Sequence, residues 1–166
     1  MHIHTLFFRR FWHSGLYRDG NPRANEHWIV LGQSATPMEI TDVDERGISI
    51  KCTATNRQVS YENSSCCFRA DYDSNASNIG AYKVQLVPVP DGLPGQYLMR
   101  NAYPSRYEGM WLSSQGKAGK EYVYLDARAE KASVYQIGLR PTPRVMTSLS
   151  MLQRGQRIRI HDTTLR

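Results

Sequence analysis

The sequence predicts an all-β protein, and three similar segments favour a β-trefoil of twelve short strands, six closing a barrel and six capping it. The first observation is that short apolar runs bounded by turn residues recur along all 166 residues, whereas no long stretch has an apolar stripe of helical period. The second is the composition, with twelve Gly, eight Pro and ten Tyr, which is unlike that of a helix bundle. The third is that segments 27–37, 82–91 and 133–143 each run from aromatic and β-branched residues into a proline.

Each predicted strand is a short apolar or alternating run that ends at Gly, Pro, Asn or Asp. Turn residues at 19–22, 46–47, 91–95 and 115–119 separate several of these runs. Residues 145–153 (VMTSLSMLQ) could form a short helix. The predicted strands are 3–8, 28–33, 47–52, 66–70, 82–89, 96–100, 110–113, 121–125, 133–139 and 156–161.

Positive charge is concentrated in the last third of the chain. Residues 1–113 carry eleven basic and eleven acidic side chains, and residues 114–166 carry ten basic against four acidic, so the net charge of +6 lies there. Such an asymmetry suits a polyanion, and the alternative is a merely solvated basic surface. No aromatic–basic stacking motif accompanies the charge, so nucleic acid is not the expected partner. No apolar run approaches the length of a membrane span, so membrane insertion is not expected.

The cysteines and two sequons bear on the compartment. Cys52, Cys66 and Cys67 cannot all pair internally, and adjacent Cys66 and Cys67 point to opposite faces of a strand, so we expect buried free thiols. Asn63 and Asn75 each begin an N-x-S sequon in a polar stretch, which favours the secretory route and glycosylation at both positions. The first residues lack the apolar core of a signal peptide, so we expect the leader to be absent from this chain.

No pattern of residues is typical of a catalytic or cofactor site, so we expect neither enzymatic activity nor a cofactor. The chain is too short for an eight-stranded α/β barrel. His2 and His4 share one face of a predicted strand, but no third metal ligand follows, and no metal site is expected. No nucleophile motif surrounds His13, His27 or His161, and no Gly-rich phosphate loop occurs.

Several strings resemble segments of the fibroblast growth factor family and occur in that family's order. The longest, residues 38–51 (MEITDVDERGISIK), is similar to the family's LEI…V-x-RG-VVSIKG segment. The sequence departs from the family's pattern at Ala70, where the family has Glu, and in extra residues at 73–97. The remaining matches are 19–21 (DGN), 66–69 (CCFR), 101–105 (NAYPS), 111–112 (WL), 115–117 (QGK) and 130–132 (EKA).

The resemblance implies a β-trefoil domain at residues 1–144, with an insertion at about 73–97, and a basic C-terminal tail at 145–166. It also implies a heparan-sulfate site, because cations on a rigid turn release condensed counterions from a sulfated chain. The residues of that site would be Lys117, Lys120, Arg128 and Lys131, with the tail arginines Arg154, Arg157 and Arg159 as the alternative location.

The resemblance further implies receptor contacts at Asn101, Tyr103, Asp71 and Leu139. Tyrosine suits such an interface because it offers a large contact area and one polar atom, although Tyr103 could instead pack under a loop.

The implied function is that of a secreted, extracellular growth-factor-like ligand. Such a ligand binds heparan sulfate as a co-receptor glycan and the immunoglobulin-type ectodomain of a receptor tyrosine kinase, and so triggers signalling. The alternative is a β-trefoil lectin or protease inhibitor, a non-enzymatic binding module that uses loop 100–109 to stack a sugar or block a cleft.

Overall fold

The structure, a computed structural model, describes residues 10–15, 27–72, 82–117 and 119–165. Within these ranges the chain forms thirteen strands and two short 3-10 turns, at Ala129–Lys131 and Leu149–Met151. The strands are β1 (Phe11–Gly15), β2 (Trp28–Gly32), β3 (Met38–Asp44), β4 (Gly47–Cys52), β5 (Arg57–Tyr61), β6 (Phe68–Tyr72), β7 (Val84–Pro88), β8 (Tyr97–Asn101), β9 (Trp111–Lys117), β10 (Lys120–Asp126), β11 (Tyr135–Arg140), β12 (Arg144–Val145) and β13 (Arg157–Asp162).

Hydrogen bonds close ten antiparallel strands into one barrel. The order around it is β3, β4, β5, β6, β2, β10, β9, β8, β11 and β13, and β13 pairs with β3 to complete the circuit. Three strands of the described chain lie outside this circuit: β1 pairs with β2 and β13, β7 pairs with β4 and β8, and β12 pairs with β11. The all-β prediction is therefore confirmed.

The predicted β-trefoil is wrong, because the closed barrel takes in ten strands and three lie outside it, instead of six barrel strands and six cap strands. The supposed repeats at 27–37, 82–91 and 133–143 do not occupy equivalent places. The strands β7 and β11 from the second and third segments both pair with β8, whereas β2 from the first pairs with β1, β6 and β10.

Nine of the ten predicted strands coincide with β2, β4, β6 to β11 and β13. The tenth, 3–8, lies outside the described residues. The strands β1, β3, β5 and β12 were not predicted. The segment 145–153, where a short helix could form, instead holds the end of β12 and the 3-10 turn Leu149–Met151.

Alternation of side chains along β11 and β13 separates the core from an outer surface. Tyr135, Ile137 and Leu139 of β11 are buried, and so are Ile158 and Ile160 of β13. Because successive side chains of a strand point to opposite faces, the residues between them lie on the outside of the barrel. The pattern places the basic residues of both strands outward.

Gly47 marks a close approach between β4 and β7. Its φ of 141° lies in the region that favours glycine, and a Cβ there would overlap the backbone carbonyl of Val84. The Arg-Gly pair within the segment 38–51 therefore has a local structural role in this chain.

Residues 145–166, predicted as a C-terminal tail, supply a strand of the barrel. The strand β13 pairs with β1, β3 and β11 and buries Ile158 and Ile160 completely. The predicted insertion at 73–97 is likewise part of the sheet from β7 onward, since β7 pairs with β4 and β8. Its first part, 73–81, lies outside the described residues.

Among the described residues, no helix is long and apolar enough to cross a membrane.

Candidate anion-binding site

Four arginines from neighbouring strands define a surface that we call the arginine face: Arg140 in β11, Arg144 in β12, and Arg157 and Arg159 in β13. The antiparallel register places Arg140 opposite Arg157 and Gly138 opposite Arg159. Directly opposed residues of two strands lie on the same face of a sheet. The register therefore gathers Arg140, Arg157 and Arg159, which are up to nineteen positions apart in the sequence, on one face. Arg144 is opposite Leu139 in the register and belongs to the surface because it lines the same hollow as Arg140 and Arg159.

Two adjoining hollows lie along the arginine face, and Arg140 lines both of them. The first has a volume of about 430 Å³ and is lined by Arg140, Arg144 and Arg159, with Gly138 and His161 beside them. The second, also about 430 Å³, is lined by Arg140, Arg154 and Arg157. Guanidinium groups thus border a concave surface, which suits a bound anion better than an isolated exposed cation does.

The four arginines of the arginine face form no ion pair with a carboxylate in the part of the chain that the structure describes. Burial lowers the pKa of Arg159, and the neighbouring charge of Arg140 lowers it further. The Arg159 Nη1 atom is also buried without a hydrogen-bond partner. The first hollow therefore holds positive charge that the described side chains do not compensate.

Carboxylates lie near the second hollow. Arg154 Nη2 donates to Asp42 Oδ1 at 3.0 Å. Glu39 of β3 is opposite Arg157 and pairs with Lys51 at 3.4 Å. Among the described residues no carboxylate lines either hollow, but Arg154 of the second is paired with Asp42, whereas no arginine of the first forms an ion pair. The first hollow is therefore the stronger candidate anion site.

The residues of the predicted heparan-sulfate site lie on and just after the β9–β10 hairpin. Lys117 and Lys120 are opposite each other at its tip and are exposed, and we call this pair the lysine hairpin. Lys131 is exposed in the 3-10 turn that follows β10. Arg128 donates from Nε and Nη2 to the Asp126 carboxylate at 3.0 and 2.9 Å and holds the pKa of that carboxyl well below its usual range. The structure brings two of the four cations together and neutralises a third.

The four predicted receptor contacts do not form one exposed face. Asn101 and Leu139 are buried, with 3% and 1% of their surface exposed. Asn101 Oδ1 accepts the backbone N–H of Tyr103 at 3.1 Å, and Tyr103 itself is half-buried. Asp71 accepts a hydrogen bond from Arg69 Nη2 at 2.7 Å. The side chains of Asn101 and Asp71 therefore make contacts within the protein, which a sequence pattern does not show.

The sequon residue Asn63 is exposed in the turn between β5 and β6. Its backbone carbonyl accepts the Tyr107 hydroxyl at 2.9 Å, which leaves its side-chain amide out of that contact. The second sequon residue, Asn75, lies outside the described residues.

The three cysteines are free, as predicted. Cys52 and Cys67 are buried, and Cys66 is half-buried with a raised thiol pKa that is caused chiefly by burial. His2 and His4 lie outside the described residues. Elsewhere in the described chain, no group of three His, Cys, Asp or Glu side chains is placed to hold a metal ion.

No family model, curated protein or solved structure matches this chain. The resemblance to fibroblast growth factors therefore stays a prediction that rests on the motifs alone. Of the arginine face, the sequence predicted only Arg157 and Arg159, together with Arg154, as the alternative location; Arg140 and Arg144 were not predicted. The sequence signal of this face is the alternation of Arg157, Arg159 and His161, which is typical of the outer face of a strand.

Proposed function

We propose that the protein is a non-enzymatic binding protein that holds a sulfated glycan against its arginine face. The observation that carries the proposal is that the four arginines line two adjoining hollows and have no carboxylate partners among the described residues. A guanidinium presents a planar fork of donors that matches an oxyanion in two-point contact. A row of fixed cations also gains affinity from the counterions that a polyanion releases.

The lysine hairpin is a second, weaker part of the same proposal. Lys117 and Lys120 are exposed and opposed, so they can add long-range attraction for a polyanion. They are exposed at a hairpin tip, and Arg128 nearby is already paired with Asp126. We therefore expect the arginine face to contribute more of the affinity.

The wider form of the proposal is a secreted growth-factor-like ligand that acts outside the cell on a receptor tyrosine kinase, with heparan sulfate as its co-receptor. Its support is the collinear motifs over 19–141 and the exposed sequon residue Asn63. Tyr103 and Asp71 are the predicted receptor contacts that are not fully buried. The glycan-binding part of this hypothesis has the stronger geometric support.

Heparin affinity chromatography tests the proposal with two variants that each remove four charges. One changes Arg140, Arg144, Arg157 and Arg159 to Gln, and the other changes Lys117, Lys120, Arg128 and Lys131 to Gln. We expect the arginine variant to bind heparin at least about tenfold more weakly, a loss of about 1.4 kcal/mol. The matched lysine variant should lose less, because Arg128 is already paired with Asp126, whereas Arg140 and Arg159 of the arginine variant are half-buried beside one hollow and less screened by salt.

Elution of the arginine variant at the parent's salt concentration would contradict the proposal.

A competition experiment distinguishes the class of ligand. Single-stranded DNA and free heparin, at equal charge concentration, are compared as competitors for the protein bound to heparin. Weaker competition by DNA supports a sulfated glycan. Equal or stronger competition would replace the glycan with nucleic acid as the partner.

A further inference from the structure

We infer that the hollow over Gly138 is a discrete subsite for one tetrahedral oxyanion, a sulfate or phosphate group, held between Arg140, Arg144 and Arg159. This inference rests on the proposed function but goes further. A polyanion can bind a basic face without any of its sulfate or phosphate groups occupying a defined subsite. It assigns the part of the arginine face that recognises a single anionic group.

The strand register places the subsite over Gly138, which has no side chain. Gly138 lies in the middle strand of three, opposite Arg159 of β13 and opposite Val145 of β12. Directly opposed residues share a face, so side chains flank the glycine on both sides while none rises from the floor. The result is a gap at Gly138, which lines the first hollow without a side chain of its own.

The arginines converge on this gap. Arg140 Nη1 lies 3.7 Å from the position that a Cβ on Gly138 would occupy. Arg140 is fixed there because the same Nη1 donates to the Leu139 carbonyl at 2.9 Å. Arg144 and Arg159 line the same hollow. A group placed over Gly138 therefore meets a guanidinium whose position is already set.

The electrostatics of the gap favour an anion. Two guanidinium groups, those of Arg140 and Arg159, are neighbours, and neither has a carboxylate partner among the described residues. The Arg159 Nη1 atom is buried without an acceptor. An oxyanion over Gly138 would compensate both charges through the remaining donors and would remove the repulsion between them.

Gly138 also supplies a test that leaves every charge in place. A Cβ there would meet Arg140 Nη1 at 3.7 Å and the Arg159 carbonyl at 3.8 Å, which are ordinary contacts, and no positive φ requires glycine. Gly138→Val should therefore fold while filling the subsite. Gly116→Val is the matched control, because Gly116 also lies in a strand, and the nearest atom to its Cβ would be the Lys120 carbonyl at 3.9 Å.

The experiment measures the binding of inorganic sulfate and of inorganic phosphate by calorimetry. It also compares the melting temperature in each of these salts with the melting temperature in sodium chloride of equal ionic strength. The parent and Gly116→Val should bind sulfate saturably and gain melting temperature beyond that caused by chloride. Gly138→Val should bind sulfate at least tenfold more weakly. Gly138→Ala, the smaller change, should lie between them and serves as the test if Gly138→Val fails to fold.

Undiminished sulfate binding by Gly138→Val would overturn the subsite, and so would a parent that responds to sulfate only as it does to chloride. Neither result touches the proposed function, which fails if the arginine variant retains parental heparin affinity or if single-stranded DNA competes at least as well as heparin. Tighter binding of sulfate than of phosphate, with loss of affinity for desulfated heparin, assigns the group to a sulfated glycan. The reverse order assigns the subsite to phosphate and overturns its link with the glycan.

Discussion

At the residue scale, Lys83 shows how one buried charge connects distant segments. Its side chain is entirely buried, and its Nζ lies 2.7 Å from Asp42 and 3.4 Å from Asp44, both in β3. Asp42 also accepts from Arg154, which lies between the 3-10 turn Leu149–Met151 and β13. A buried ammonium is tolerated only when it is paired, so this contact ties the entrance of β7 to β3.

Lys83→Met should lower the free energy of unfolding by about 2 kcal/mol, because the change removes charge-assisted hydrogen bonds and leaves two carboxylates without the partner. Urea denaturation measures the loss. Lys51→Met is the matched control, since the Lys51–Glu39 pair is more exposed and should contribute less than about 1 kcal/mol. An equal loss in the two variants would show that burial adds nothing to the Lys83 contact.

The same contact predicts a dependence of stability on pH. The hydrogen bond from Lys83, and then that from Arg154, lowers the pKa of Asp42. A carboxyl whose folded pKa is depressed contributes its full stabilisation above its unfolded pKa, about 3.9, and loses it as pH falls through the folded value. The difference in unfolding free energy between the parent and Lys83→Met should therefore be smaller in acid than at neutral pH. Urea denaturation at neutral pH and at a pH below the unfolded pKa measures this change.

At the element scale, the connection between β8 and β9 is braced by tyrosine rings. Tyr103 is stacked on Tyr82 with ring centroids 5.3 Å apart and meets the edge of Tyr61 at 6.1 Å. Tyr61 also contacts Tyr107 at 5.4 Å. Backbone bonds close the same loop, since the Gly109 N–H donates to the Asn101 carbonyl at 2.7 Å. The loop is thus held by its own packing as well as by its ends.

Tyr103→Ala should reduce the stability of the fold by about 2 kcal/mol, less than a fully buried aromatic would cost, because the ring is half-buried. For a chain of this size that loss lowers the melting temperature by roughly 4–8 °C. Tyr103→Phe keeps both ring contacts and should change the melting temperature little. An unchanged melting temperature in Tyr103→Ala would show that the ring contacts do not stabilise the loop.

The sequence predicted elements better than it predicted their arrangement. The strands β8, β11 and β13 were found because each alternates buried apolar residues with outward ones. The strand β5 was missed because polar Gln58 and Ser60 are buried in it, so no apolar alternation marks it. The anion site depends on the register between β11 and β13, which no local pattern specifies. Arg140 and Arg157 are therefore neighbours for a reason that appears only once the strands are paired.

At the scale of the whole molecule, the barrel is closed by its last strand. The strand β13 joins β11 to β3 and also pairs with β1. Without it the circuit of ten strands would have two free edges, and exposed edges are sites of instability and aggregation. The residues first expected to form a tail are thus required for closure.

Truncation after residue 144 should abolish cooperative unfolding, because it removes the buried side chains Ile158 and Ile160 together with the closing strand. Circular dichroism during thermal denaturation measures the effect. Truncation after Thr164 is the control, since Leu165 is 96% exposed, and this variant should unfold as the full chain does. A cooperative transition in the shorter protein would mean that the barrel closes without β13.

The pairing of β1 with β13 also means that the strands could be connected in a different order along the chain and keep the same neighbours. Phe11 is the Cα partner of His161, and the Asp162 N–H donates to the Arg10 carbonyl at 2.7 Å, so the first and last strands of the described chain are adjacent. A linker between these two strands, with a new break in the exposed turn at 91–94, would leave each strand with its present neighbours. We therefore expect a circularly permuted chain to form the same barrel of ten strands.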